Sequence, residues 1–383
     1  MDIYYKKAVV FNHQQGETVM KFSVNREKLQ KALQKVGSAV GSHAMLQVLS
    51  NVMLEAEDNK LTLTTTDLEM RISTSIEANV EEAGSSTAPA RKLASLVGCF
   101  VGDDVFFDID EKDHIKIKCG TSSFTLLGLP AADFPAATEF EVKRTVQIKE
   151  KDFKRMVSAI SYAVSADSSR IVLTGVLLSC RENMATLVAT DGKRMAMQEK
   201  APEAIEGGDG DAIIPLKAAN EVRRLLEGDA ILSIKLGERL CSFEAGGFVV
   251  TSKLIEGNYP NYRQVVPTSF KREITVPTSV FLAKIETVSL VLSDSSSFII
   301  LDFGNNQLKL AASSSEVGEG SDMVEVAYEG DAFEVSFNPV FLAEPLRNCD
   351  SDTVKLQFND PLNPVAIEGG EGFLYVIMPI RKK

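Results

Sequence analysis

Cysteine and histidine are both scarce in this chain. Its five cysteines (Cys99, Cys119, Cys180, Cys241 and Cys349) lie far apart and form no CxxC pair. That spacing excludes zinc ribbons and redox dithiols and predicts reduced side chains at core or half-buried positions. Histidine occurs three times, at His13, His43 and His114, none within ligand spacing of another. Imidazole catalysis and a His-rich metal centre therefore have no residues to build on, so neither a metal nor a cofactor is expected. No apolar run nears the ~18–20 residues that span a bilayer, so no membrane partner is expected. The first residues also lack an apolar stretch followed by a small-residue cleavage site, and a soluble, cytosolic protein is expected. What is present is ordinary globular material: 383 residues, 44% hydrophobic and 25% charged. Disorder and coiled coil are excluded for the chain as a whole, and several domains fit its length.

One pattern occurs three times. NKLTLTTTDLEM (59–70) is matched by MATLVATDGKRM (184–195) and by NQLKLAASSSEV (306–317), with Leu63, Leu187 and Leu310 at steps of 124 and 123 residues. A second register agrees, since Phe124, Phe248 and Phe373 follow at steps of 124 and 125. Two anchors with one period predict three copies of a domain-sized unit. The expected division is an extension over 1–19 and domains over 20–143, 144–271 and 272–383.

Within each copy, apolar residues at three- and four-residue spacing predict a helix (26–40, 149–164, 280–292). A second helix follows at 89–100, 215–228 and 338–348, each with a proline near its start. Alternating or β-branched runs such as 60–66, 104–110, 114–120 and 230–237 predict strands. The expected fold is α+β, with the unit of a helix followed by strands occurring twice per copy and two helices packed on antiparallel sheets.

The net charge of −12 is unevenly spread. The six helical stretches carry 15 Lys and Arg against 7 Asp and Glu, a net of +8 that leaves −20 for the rest. Lys31 stands opposite the Leu29, Leu33 and Val36 stripe, flanked by Arg26, Lys28 and Lys35. Arg91, Lys154, Lys217, Arg223 and Arg224 take similar outward positions. For one residue this is an ordinary solvated face, but a collective basic bias over six helices suits a phosphate backbone followed without base reading.

The strings MKFSV (20–24), SNVML (50–54), TDLEM (66–70), PARKL (89–93), LPAADFP (129–135), ATDGKRMA (189–196), SKLIEGNYPNYRQVVP (252–267) and YVIMPIR (375–381) occur in this order. Together they resemble the bacterial DNA polymerase III β subunits, the replicative sliding clamps, from Met20 to the C-terminus. The resemblance implies a head-to-tail homodimeric ring of three clamp-type domains per protomer. Helices would line a hole that holds duplex DNA, while the ring tethers the replicative polymerase. It also implies a separate clamp-loader ATPase, and a location in the bacterial cytoplasm, at the nucleoid during replication.

The family's pocket takes short hydrophobic peptides from polymerases, loader and repair proteins. Matching positions are Leu173, Thr190, Gly192, Arg194, Met195 and Pro260, then Val265, Val376, Met378, Pro379, Ile380 and Arg381. Two departures bear on peptide preference: Lys193 stands where a histidine is frequent, and Gln264 where an arginine is. Phe124 and Leu126 match one side of the family's dimer interface, and Val291 and Leu292 the other. Arg91 and Lys217 match pore positions, and His43 stands where many relatives carry arginine, which would weaken one phosphate contact.

Two other readings compete. An enzyme could use Asp67 or the acid of TDG (190–192), each placed after a strand-like run. However, EGGDGDA (206–212) lacks the spacing of a calcium loop, DGKR (191–194) lacks the rest of a P-loop, and GEGSDM (318–323) lacks a dinucleotide fingerprint. All are read as turns, and no catalytic residue is expected. The other reading is a clamp-fold interaction scaffold that does not encircle DNA.

Overall fold

The computed structural model describes residues 18–41, 46–267, 269–293 and 298–381. Among them are six α-helices: α1 (Arg26–Val36), α2 (Ala90–Cys99), α3 (Glu150–Ile160), α4 (Leu216–Leu225), α5 (Thr278–Ser289) and α6 (Pro339–Asn348). They coincide with the six predicted stretches. α1 buries Leu29, Ala32, Leu33 and Val36, a three- and four-residue stripe, and opens on Asn25, whose side chain accepts from the N–H groups of Glu27 and Lys28. Pro89 and Pro215 stand just before α2 and α4, and Pro339 lies in the first turn of α6.

One feature of the repeat differs from expectation. Each helix is entered from a strand (Thr18–Asn25, Gly84–Pro89, Arg144–Lys149, Gly210–Pro215, Arg272–Pro277 and Phe333–Phe337), so the unit is strand, helix, strands. The leading strand is short, and only three alternate residues mark it in the first copy: Met20, Phe22 and Val24, all buried. Phe22 stacks on Phe107 at 4.6 Å between ring centroids. This strand takes in Thr18 and Val19, two residues ahead of Met20; residues 1–17 of the predicted extension lie outside the described residues.

The chain forms two compact units, one up to residue 139 together with residues 247–250, the other comprising 140–246 and everything from 251. In the first, a five-stranded sheet has the order 79–82, 18–25, 104–110, 114–119 and 122–127. Strands 70–77, 60–66, 51–57 and 84–89 lie side by side in that order. α1 and α2 pack together in this unit.

In the second unit an eight-stranded antiparallel sheet runs 210–215, 175–181, 184–190, 194–200, 373–377, 365–368, 353–358 and 272–277. Its central pair joins the second and third copies of the repeat. A four-stranded sheet (318–325, 307–314, 299–304, 333–337) completes the third copy. α3 packs on α4, α5 on α6, and α3 also touches α6. Leu63, Leu187 and Leu310 are all buried, in strands 60–66, 184–190 and 307–314. The fold is α+β, with three copies of one unit. The five cysteines are free, three of them buried. No helix among the described residues is long and apolar enough to cross a membrane.

Candidate partner-binding cleft and DNA-facing helices

The hairpin formed by strands 184–190 and 194–200 carries the cleft. Its turn is built by side chains acting on backbone. Asp191 Oδ1 accepts from the N–H groups of Lys193 at 2.8 Å and Arg194 at 3.1 Å, and Thr190 Oγ1 donates to the Arg194 carbonyl at 2.6 Å. Gly192 has φ +86, where a side chain would be strained and its Cβ would lie 3.1 Å from Arg170 Nη1. Arg170 in turn donates to the Asp191 carbonyl at 2.9 Å and to Asp167 at 3.1 Å, which holds the segment bearing Leu173.

The C-terminal strand 373–377 adds to this hairpin, with Met195 directly opposite Val376. Met378 N–H donates to the Lys193 carbonyl at 3.0 Å, so the chain leaves the sheet along the turn. The result is a cleft of about 150 Å³ lined by Leu173, Thr190, Gly192, Lys193, Arg194, Met195, Pro260, Asn261, Tyr262, Val265, Val376 and Met378. Leu177, Val188, Met195, Tyr262 and Val376 form the buried layer beneath, while Val265 and Met378 stay about half exposed at the rim. A half-open apolar groove with methionine on its floor and rim is adaptable to several apolar side chains.

Nine of the twelve predicted pocket residues meet here. Pro379, Ile380 and Arg381 run on past the cleft without lining it, and Ile380 N–H donates to the Ser336 carbonyl at 2.8 Å. Lys193, Asn261 and Tyr262 line it but were not among the expected residues; all three fall inside the strings that carry the family resemblance. Gln264 ends a short 3-10 turn (Tyr262–Gln264) and is exposed.

Arg194 is the buried charge of the site, its side chain only 8% exposed. Its Nε meets Asp191 Oδ2 at 3.1 Å, Nη1 donates to a Glu344 carboxylate oxygen, and Nη2 donates to the Tyr162 carbonyl at 2.7 Å. The guanidinium carbon sits 4.1 Å from the centre of the Phe341 ring. Burial opposes the charge, but the Glu344 carboxylate and the Tyr375 side chain together outweigh it, and the pKa lies above the ordinary arginine value.

The predicted DNA-facing cations divide. Lys31 and Arg91 are exposed on α1 and α2, with no ion-pair partner among the described residues, and Lys217 is exposed on α4. Others are engaged within the chain. Lys28 pairs with Glu77 at 2.5 Å, Arg26 donates to the Gly102 carbonyl at 3.0 Å, and Lys154 to the Leu226 carbonyl at 3.1 Å. Arg223 donates to Ser158 Oγ at 3.3 Å, and Arg224 pairs with Glu221 at 2.5 Å. Lys35 is half-buried, and His43 lies outside the described residues. On α5 and α6 the two cations are ion-paired, Lys284 with Asp322 and Arg347 with Glu286. Lys92, beside Arg91 in the same PARKL string, is exposed as well and was not among the expected residues.

Of the predicted interface residues, none is buried. Phe124 and Leu126 lie on strand 122–127 at the edge of its sheet, and Val291 and Leu292 follow α5. The acids of the enzyme reading are turn anchors. Asp67 accepts from Glu69 N–H at 3.0 Å and Met70 N–H at 2.7 Å, as Asp191 does in the second copy. Among the described residues no three His, Cys, Asp or Glu side chains cluster as a metal site.

Comparison with known proteins agrees over the whole repeat. Residues 20–138, 147–261 and 263–381 match in turn the N-terminal, central and C-terminal domains of the DNA polymerase III beta subunit. The chain is 31% identical to the beta sliding clamp of Chlamydia muridarum, over 94% of this chain and 99% of that one. It is 29% identical to that of Escherichia coli K12, over 94% and 100%. Among solved structures, the Pseudomonas aeruginosa DnaN sliding clamp bound to griselimycin superposes with TM-score 0.90 at 31% identity, covering 95% of this chain and 100% of that one. The Bacillus subtilis sliding clamp shares the fold with TM-score 0.91 at 24% identity, over 95% and 100%. The chain therefore belongs to the bacterial beta sliding clamp family, the beta subunits of DNA polymerase III, which are non-catalytic processivity factors of DNA replication.

Proposed function

We propose that two copies of this chain close head to tail into a ring around duplex DNA and tether the replicative polymerase. The observation that carries this reading is the placement of Lys31, Arg91 and Lys217: exposed cations on helices of a repeated unit whose remaining surface is acidic. Contacts to phosphate alone would let the ring slide, because nothing would hold it to a base sequence. The proposed domains are 20–143, 144–271 and 272–383.

Phe124 supports the interface assignment. Its counterparts Phe248 and Phe373 are 3% and 4% exposed, whereas Phe124 is 44% exposed on an edge strand, a surface suited to a partner subunit. With Leu126 it would face Val291 and Leu292 in the third domain of the other protomer, closing a two-fold ring. The cleft would receive short hydrophobic peptides of the replicative polymerase, other polymerases, repair proteins and the clamp-loader ATPase, and griselimycin, to which the Pseudomonas aeruginosa relative is bound. The working place would be the cytoplasm, on the nucleoid during replication.

The decisive experiment loads the protein on nicked circular DNA with a clamp loader, then linearises the DNA. Retention on circles and loss from linear ends is expected. Equal retention on both would mean surface binding, the behaviour of a clamp-fold scaffold that does not encircle DNA.

A further inference from the structure

We propose that Arg194 is a positioning residue, which shapes the cleft by tying it to α6 through Glu344 and makes no hydrogen bond of its own to a bound peptide. The inference rests on reading the cleft as the peptide site.

Each nitrogen of the guanidinium already has a partner, and the three partners come from three different places. Asp191 belongs to the hairpin turn, the Tyr162 carbonyl to the 3-10 turn (Ser161–Ala163) that follows α3, and Glu344 to α6. Phe341, also on α6, covers one face of the group. The Tyr375 hydroxyl is a further partner, and with only 8% of its side chain exposed Arg194 offers the cleft mainly its aliphatic stem.

The first repeat shows that the turn itself does not require an arginine. Thr66 to Met70 form the same turn, with Thr66 Oγ1 donating to the Met70 carbonyl at 2.9 Å and Asp67 holding the same two N–H groups. There the position of Arg194 is taken by Met70, 3% exposed. A buried guanidinium is costly where a buried thioether is not, so the arginine answers a demand specific to the second copy. That demand is the junction with the third copy, where strand 373–377 joins the hairpin and Met378 hangs from the Lys193 carbonyl. Releasing Arg194 from Glu344 would let the turn and α6 move apart, and Met195 and Met378, on either side of that turn, would shift with it.

Glu344 does not line the cleft, which makes the test clean. Griselimycin binding to the full chain would be measured by titration calorimetry for Glu344→Gln, Arg194→Lys, their double variant and Met378→Ala, with melting curves for each. Glu344→Gln keeps the side chain's shape and is expected to weaken binding about tenfold, with a melting midpoint that falls because the buried guanidinium loses its carboxylate but still leaves the chain folded at the temperature of the titration. Arg194→Lys should lose about as much, because an ammonium cannot serve three partners in a fork, and the double variant should bind no worse than Arg194→Lys alone. Unaltered binding by Glu344→Gln beside a loss in Arg194→Lys would assign the arginine to direct contact and overturn the proposal. Additive losses would overturn it as well. A Met378→Ala variant that binds normally, or a wild-type chain that does not bind, would instead reject the cleft as the peptide site.

Discussion

Asp67, Asp110 and Asp191 each accept two backbone N–H groups from residues two to four positions further on. Carboxylates committed in this way organise turns and are unavailable as general bases. Asp110 is the most buried of them, and its other oxygen meets His114 Nδ1 at 3.1 Å. Burial pushes its carboxyl up, but the N–H groups of His114 and Lys112 and the imidazole outweigh burial and hold it below the usual carboxylate value. A depressed folded-state pKa means stability that is complete above the unfolded value and is lost as pH falls through the folded one. Asp110→Asn should therefore lower the melting midpoint by about 2–4 °C at neutral pH and flatten its decline below about pH 4. Thermal melts across that range check it; parallel declines in both proteins would show that Asp110 carries no linked proton.

At the level of elements, α6 holds a proline in its interior. Pro345 has no N–H, so the carbonyl of Phe341, four residues earlier, loses its helical donor. Tyr375 replaces it, its hydroxyl donating to that carbonyl at 2.7 Å. A strand of the sheet thus repairs a helix defect and fixes α6 against the strand that enters the cleft. Removing the hydroxyl in Tyr375→Phe should cost about 1–3 kcal/mol, the penalty of a buried carbonyl left without a donor. Adding Pro345→Ala restores a backbone N–H and should recover part of that loss. Urea midpoints of the two single variants and the double variant test this; additive effects would mean that the hydroxyl and the proline are unrelated.

Across the whole molecule, the basic bias of the helices is real but unequal. The cations of α5 and α6 are ion-paired, and exposed ones without such pairs occur on α1 and α2. Surface pairs of this kind contribute little to stability, but they reduce the charge offered to a phosphate. Reversing Lys31, Arg91 and Lys217 to glutamate together is expected to shorten retention on circular DNA and flatten its salt dependence between about 50 and 300 mM. Retention that matches the unaltered protein at every salt concentration would remove these residues from the DNA-facing surface.

Local chemistry made the repeat, the six helices and most strands readable from sequence, because a stripe at three- and four-residue spacing or an alternating run shows its period within one element. Leu29, Leu33 and Val36 declare the buried side of α1 without any knowledge of what covers it. The leading strands were missed because too few alternate residues mark them before the helix begins. Nine cleft residues were reached through family resemblance, since no local pattern links Leu173 to Met378. Tertiary structure alone decided that strand 194–200 would pair with 373–377, that Glu344 would meet Arg194 across 150 residues of chain, and that Phe124 would stay exposed where Phe248 and Phe373 are buried. Sequence period determines which face of an element is apolar; which distant element covers that face, and whether a cation on the other side finds a partner, depends on contacts that exist only once the chain has folded.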